Sequence, residues 1–265
     1  MKDGPYGGIY LSPHLDDVVL SCGGTIHQRA SGGQRSLVIT LFAGSPAEDA
    51  NTAFSQELKE RWGGAHDPVG VRRQEDLAAM HAISADALHL DFLDCVYRRD
   101  SASGADLYPT VEHIFGEVHA EEAALHLVIL DALRPVLRAH STATIYAPLT
   151  VGHHVDHIIA LRTALLLHAE ARGVWCYEDY PYAVRPEEVQ RALASVARGS
   201  SRWVKSCECL APEDLRAKTD GVAAYRSQIS TFWPDLEAMR RDVASYAVAV
   251  GQGRYGESFW RITAM

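Results

Sequence analysis

The chain has 265 residues, 47% of them hydrophobic, enough to bury a substantial core as one large domain or as a domain with an appendage. Its formal net charge of −9 is dispersed, with neither an acidic tail nor a basic arm, and this argues against a nucleic-acid or anionic-membrane surface. Five cysteines (Cys22, Cys95, Cys176, Cys207, Cys209) form an odd set in mostly apolar runs and read as buried free thiols rather than a disulfide framework.

The opening residues, Met1 to Gly8, lack the basic-then-apolar pattern of a secretory leader. Gly8 to Leu11 then reads as a short buried strand and Val18 to Ala30 as a helix. A second apolar strand, Ser36 to Phe42, is stopped by Ala43-Gly44-Ser45-Pro46. Glu48 to Pro68 is polar and punctuated by glycine, the composition of a surface loop or a short helix. Val71 to Ile83 is an amphipathic helix, Ala87 to Phe92 a strand, and Arg98 to Pro109 a polar loop. Glu121 to Ala139 has helical periodicity despite Pro135; Thr144 to Ala147 is a strand and His154 to Ala171 a helix. The longest apolar stretches are broken by Asp131 and Arg162, well short of a membrane span, so a soluble cytoplasmic protein is expected.

After Trp175-Cys176-Tyr177 the pattern changes. A strand-like Trp203 to Cys207 precedes two helical stretches, Asp214 to Ser230 and Leu236 to Val248. Cys207 and Cys209 alternate on that strand and face one way, with no ligand partners nearby in sequence. Strands alternating with helices of a dozen residues predict an α/β fold, a Rossmann-like three-layer sandwich around a mainly parallel sheet. The chain is expected to be a single domain over 1–265. Residues 1–180 would form the sheet core and 181–265 a C-terminal strand-and-helix extension packed on it.

Two short polar runs stand out against this pattern: His14-Leu15-Asp16-Asp17, after the first strand, and His153-His154-Val155-Asp156-His157, after Ala147-Pro148. Ligands in parallel sheets collect outside the carboxyl ends of strands, so two runs far apart in sequence are expected to meet there. His14 and Asp17 are three apart at a helix start, as are His154 and His157, and each pair can point at one centre. A metal held by His14, Asp17 and His157 would have two imidazoles and a carboxylate, leaving positions for water as hydrolytic zinc sites require. Iron(II) uses the same ligand types, so Fe2+ stays open beside Zn2+. Asp16 stands beside these ligands as a general base, and His154 as an acid or oxyanion partner held by Asp156. Read separately, His-x-x-His is an ordinary helix surface and Asp-Asp an ordinary helix N-cap. Their convergence favours the metal site, and the other histidines are scattered without a pattern.

These residues give the chain its resemblance to the PIG-L/LmbE-like N-acetylglucosaminyl deacetylases. The resemblance is carried by His14-Leu15-Asp16-Asp17 and His154-Val155-Asp156-His157. It extends to Arg72-Arg73-Gln74-Glu75, Tyr146-Ala147-Pro148-Leu149, Tyr177-Glu178-Asp179-Tyr180-Pro181-Tyr182, Tyr225-Arg226-Ser227-Gln228 and Glu257-Ser258-Phe259-Trp260-Arg261. It implies a zinc-dependent hydrolase that removes the N-acetyl group from an amino-sugar conjugate. His14, Asp17 and His157 would be ligands, Asp16 the base, and His154 the electrostatic or acid partner oriented by Asp156. Arg72 and Asp94 match positions that lie near the sugar. For Arg72 an ion pair with Glu75 or Asp76 competes, and for Asp94 a loop cap. Leu15 replaces the usual proline, and Gly152 stands where some relatives carry a tyrosine. The resemblance is also compatible with a homo-oligomer. The alternatives are an amidase acting on a thiol-sugar conjugate or another acyl amine, and a non-catalytic metal- or sugar-binding protein.

Overall fold

A computed structural model describes the chain except residues 1–3, 48–51, 62–63, 65, 171–172, 197–201 and 264–265. The start of the expected leader comparison, parts of the expected 48–68 loop and the last residue of the expected 154–171 helix therefore lie outside the described residues.

Alternation builds the centre. In β1 (Gly8–Ser12) Ile9 and Leu11 point to one face and Tyr10 to the other, and all five residues are buried. β1 pairs in parallel with β2 (Ser36–Thr40) on one side and β4 (Thr144–Pro148) on the other. β3 (Asp86–His89) flanks β2 and β5 (Val174–Tyr177) flanks β4, both parallel. Among the described residues the sheet has seven strands in the order β3-β2-β1-β4-β5-β7-β6, mostly parallel and covered by helices on both faces, as the sequence predicts.

Two apolar layers enclose it. Tyr10, Val38 and Tyr146 meet α1 (Asp17–Ser31), α3 (Pro68–Ala82), α8 (Pro212–Ala224) and α10 (Leu236–Val250) through Val19, Met80, Val222 and Met239. On the other face Ile9, Leu11 and Ile145 meet α5 (Leu125–Ala139) and α6 (Val155–Ala169) through Ile129, Leu133 and Ile159. Each fully buried aliphatic side chain contributes about 1.5–3 kcal/mol. Among the described residues four shorter helices complete the fold: α2 (Ala53–Arg61), α4 (Val111–Ile114), α7 (Pro186–Val196) and α9 (Arg226–Phe232), the last packing Ile229 and Phe232 on the first of these layers.

Two expectations are corrected. The expected helix 214–230 is two, because Tyr225 leaves helical geometry between α8 and α9; its buried ring donates a hydroxyl bond to Asp76 Oδ1 at 2.6 Å. Cys207 and Cys209 are exposed, since they lie on the solvent side of an edge strand, while Cys22, Cys95 and Cys176 are buried; all five are free.

The C-terminal segment packs α8 and α10 on the sheet and also extends it by two strands. β7 (Tyr255–Thr263) runs antiparallel beside β5, and β6 (Arg202–Leu210) antiparallel beside β7. Phe259 opposite Tyr177 joins the main core, which makes the extra pairing worthwhile. In the same join Lys218 Nζ donates to Glu257 Oε1 at 2.7 Å, and the Glu257 carboxylate accepts the Gly24 and Thr25 amides of α1 at 3.1 and 2.8 Å. Among the described residues no helix is long and apolar enough to cross a membrane.

Candidate active site

The carboxyl ends of β1 and β4 are adjacent, and the helix that follows each begins with one of the polar runs. His14 sits in the turn between β1 and α1, where its amide donates to Asp17 Oδ2 at 2.8 Å. The same oxygen is 3.2 Å from His14 Nδ1 and 3.3 Å from His157 Nε2, so two imidazole nitrogens and a carboxylate oxygen converge on one point. The outer nitrogen of each ring is held by a second carboxylate. His14 Nε2 donates to Asp156 Oδ2 at 3.1 Å, and His157 Nδ1 donates to Asp179 Oδ1 at 2.7 Å. The second Asp179 oxygen accepts the Val151 amide at 2.9 Å.

This is the outer support that metal-bound histidines require: each ring gives its far proton to a carboxylate and turns the other nitrogen inward. Burial alone would raise the Asp17 carboxyl, but the charges of the two rings and their bonds hold it well below the ordinary range. Burial lowers the His157 ring in turn, and the Asp17 charge overrides it, carrying the ring up to about 9. Protonated rings facing a carboxylate put positive charge in the place a cation would take. The donors, nitrogen and oxygen, suit a divalent cation of the zinc or iron(II) type, and the residues fit the group.

Asp16 occupies the N-cap position of α1, yet its side chain makes no capping bond. It turns into the cavity, with Arg72 Nη2 3.5 Å from its Oδ1. Burial pushes its carboxyl up to about 6, partly offset by Arg72. Of its helix neighbours, Glu75 accepts from Ser227 at 2.7 Å and Asp76 is paired with His89 at 2.6 Å, while Arg72 itself reaches Asp16. Asp94 caps its own loop, accepting the Val96 amide at 3.2 Å, and its other oxygen lies 3.8 Å from His14 Nε2.

The arrangement around His154 differs from expectation. The Asp156 carboxylate does not hold the His154 ring; its side chain is taken by His14, by the Cys95 amide at 3.1 Å and by Arg98 Nη2 at 2.5 Å. The Asp156 main-chain amide instead donates to His154 Nδ1 at 3.2 Å, which leaves the proton on Nε2, 3.9 Å from Cys95 Sγ. Burial and then the charge on His14 hold the His154 ring well below its usual value, so it is neutral rather than an imidazolium. The His14 and His154 rings are nonetheless edge to face, with centroids 4.8 Å apart. His153 bonds the Gly116 carbonyl through Nδ1 at 3.1 Å, away from this cluster.

Two residues of the site have no assigned role in the sequence reading. Asp179 lies in the Tyr177 to Tyr182 run, which contributes to the resemblance without a role. Arg98 opened a segment read as a polar loop, but it is buried between Asp156 and Glu122 (2.7 Å) and stacks over Phe42. Nothing in the local pattern separates a buried arginine from a solvated one; a charged residue flanked by Val96-Tyr97 was the one available signal. Gly152, with φ +91°, is also explained: a Cβ there would lie 2.8 Å from Tyr182 Cγ, so the Tyr182 ring fills the space a side chain would take.

Comparisons with known proteins point to one family. The profile of the PIG-L family, described as GlcNAc-PI de-N-acetylase, matches residues 9–168. A 2'-N-acetylparomamine deacetylase from Niallia circulans is 28% identical over 188 residues, a match that spans 66% of this chain and 66% of that protein. A 1D-myo-inositol 2-acetamido-2-deoxy-alpha-D-glucopyranoside deacetylase from Corynebacterium glutamicum is 27% identical over 231 residues, 83% of this chain and 74% of that one. Among solved structures, the zinc-inhibited form of the teicoplanin deacetylase Orf2 aligns with a TM-score of 0.84 and 28% identity, covering 96% of this chain and 97% of the other. A deacetylase–teicoplanin complex aligns with a TM-score of 0.81 and 27% identity over 96% and 97%.

Proposed function

Because the chain belongs to the PIG-L family of de-N-acetylases, we propose that it is a zinc-dependent hydrolase that removes the N-acetyl group from an amino-sugar conjugate. The observation that carries this reading is the convergence of His14, Asp17 and His157 on one point, with Asp16 and His154 lining the same cavity beside it. The relatives support the substrate class, since they are named for removing acetyl groups from paromamine and from a 2-acetamido glucopyranoside.

A divalent cation held by His14, Asp17 and His157 would supply a water acidified toward neutral pH and a Lewis acid for the amide carbonyl. Asp16 accepts the proton of the attacking water and delivers it to the leaving nitrogen. The carbonyl carbon gains the water oxygen and loses its bond to nitrogen, giving acetate and the free amine. His154 offers its Nε2 proton to the carbonyl oxygen as that oxygen gathers charge, in a buried setting where such a bond is strong. Asp156 and Asp179 are positioning residues: they orient the His14 and His157 rings. Arg72 and Asp94 stand at the cavity edge where sugar hydroxyls would meet them.

The test is metal analysis of the purified protein joined to acetate release from a panel of N-acetylglucosaminides, thiol-sugar conjugates and simple acyl amines. About one zinc per chain and release from the sugars are expected. Release from the acyl amines alone would replace the substrate, and bound metal without release from any compound would leave a binding protein.

A further inference from the structure

The two ligand histidines lean on carboxylates that are themselves held differently. Asp179, behind His157, accepts a main-chain amide on its second oxygen. Asp156, behind His14, meets a guanidinium: Arg98 Nη2 donates to Oδ1 at 2.5 Å, while Oδ2 accepts His14 Nε2 and the Cys95 amide, both at 3.1 Å. Asp156 has no exposed surface, and Arg98 is 8% exposed. The guanidinium is fixed from several other directions. Its Nε lies 2.7 Å from Glu122 Oε1, its Nη1 donates to the Leu93 carbonyl at 3.3 Å, and it sits over the Phe42 and Tyr108 rings at 5.0 and 5.4 Å. Glu122 is pinned in turn. Its Oε2 accepts the Tyr108 hydroxyl at 2.7 Å, and that hydroxyl oxygen accepts the His119 amide at 2.8 Å.

A carboxylate taken wholly out of water is costly unless a cation and further donors meet it, and Arg98 with the Cys95 amide meets Asp156. Glu122 by itself balances the charge of Arg98, so packing this arginine does not require Asp156. What the charge-assisted bond to Asp156 adds is position. With Oδ1 on Arg98 and Oδ2 on the Cys95 amide, the carboxylate is held from both sides, and the ring that donates to it is held with it. His14 then keeps Nδ1 on the ligand side, 3.2 Å from Asp17 Oδ2. The same grip keeps Asp156 from turning to the His154 ring two residues before it. We propose that Arg98 is a positioning residue of the metal site: acting through Asp156, it fixes the ring of His14 in the orientation in which a divalent cation is bound. The inference rests on the metal reading of this cluster.

Zinc affinity, read in competition with a chromophoric chelator below the melting temperature of each variant, tests this apart from turnover. Arg98→Gln should weaken zinc about 10-fold and shift the visible absorption of the cobalt(II) form, as loss of an outer support does. Placed in an Asp156→Asn background, the same substitution should add less than about twofold, because Arg98 then has no carboxylate to act through. Glu122→Gln should lower the melting temperature yet leave zinc affinity within about twofold, which separates holding Asp156 from stabilising the fold. Should Arg98→Gln alone fail to fold, its combination with Glu122→Gln deletes one buried charge of each sign and should show the same loss of about 10-fold. Affinity within about twofold of the parent in Arg98→Gln, or in that combination, overturns the proposal. So does an equal loss from Glu122→Gln, or a further loss beyond about twofold on top of Asp156→Asn. The two readings fail separately. A parent protein that binds no zinc removes the metal site and this role with it, whereas zinc held equally by the parent and Arg98→Gln removes only the role of Arg98.

Discussion

The two ends of the cavity are built in opposite ways. At the reactive end His14, Asp17 and His157 hang from a strand end or the first turn of a long helix, and each is tied to another. His14 binds Asp17 and Asp156, and His157 binds Asp17 and Asp179. At the apolar end Leu58, Val111, Ile114 and Phe232 sit on helices of nine, four and seven residues joined through loops, and they contribute bulk rather than bonds. The difference teaches where chemistry and selectivity can change independently. A ligand cannot shift without breaking a carboxylate bond, but a wall residue can be exchanged with little effect on the sheet.

The largest effect that breaks this contrast should come from metal removal. Chelation is expected to abolish acetate release, and added zinc to restore it, followed in one activity assay; turnover that survives exhaustive chelation would overturn the metal reading. Next, Asp16→Asn should lower kcat by about 10²- to 10⁴-fold, the usual share of a general base, while metal content by atomic absorption stays that of the parent. Asp179→Asn keeps an acceptor for His157 but loses its charge, so zinc affinity should weaken about 10- to 100-fold in competition with a chromophoric chelator. Gly152→Ala sets a side chain against Tyr182 at positive φ and should cost about 1–3 kcal/mol, read as a lowered melting temperature. The smallest effect sharpens the contrast: Val111→Ser should alter stability by no more than about 0.5 kcal/mol in thermal melts, because its side chain is largely at the surface.

Much of the reactive end was legible in the sequence because its signals are local. Two short runs, each after an apolar strand, are enough to bring His14, Asp17 and His157 to one sheet edge. Their supports were not legible, for they come from distant segments. Asp179 follows β5 and Arg98 lies in a polar stretch, and neither position reveals that its charge is buried against a partner. The exchange of partners at Asp156 has the same cause, since a spacing of two residues suggested the His154 ring and tertiary packing delivered His14. In the fold, parallel strands and long helices followed from periodicity, but β7 escaped because Glu257 to Arg261 mixes charges with aromatics. α7 escaped although Val189, Ala192 and Leu193 carry a helical apolar spacing. Phe54 and Leu58 escaped for a further reason: they sit in a mostly polar stretch whose composition reads as a surface loop or a short helix.

The bond between Lys218 and Glu257 has a bearing on how this chain can be divided. Glu257, near the C-terminus, grips the middle of α1, the helix whose first turn bears Asp17. A fragment ending near residue 180 would keep every ligand and both motifs, yet it would lose this clasp along with two strands of the sheet. Within the intact chain, loss of Glu257 alone would strand a buried ammonium at a cost of about 3–5 kcal/mol. The N-terminal half is therefore no portable module: a graft or chimera has to carry the first and last strands together, because the last strand braces the helix that bears Asp17.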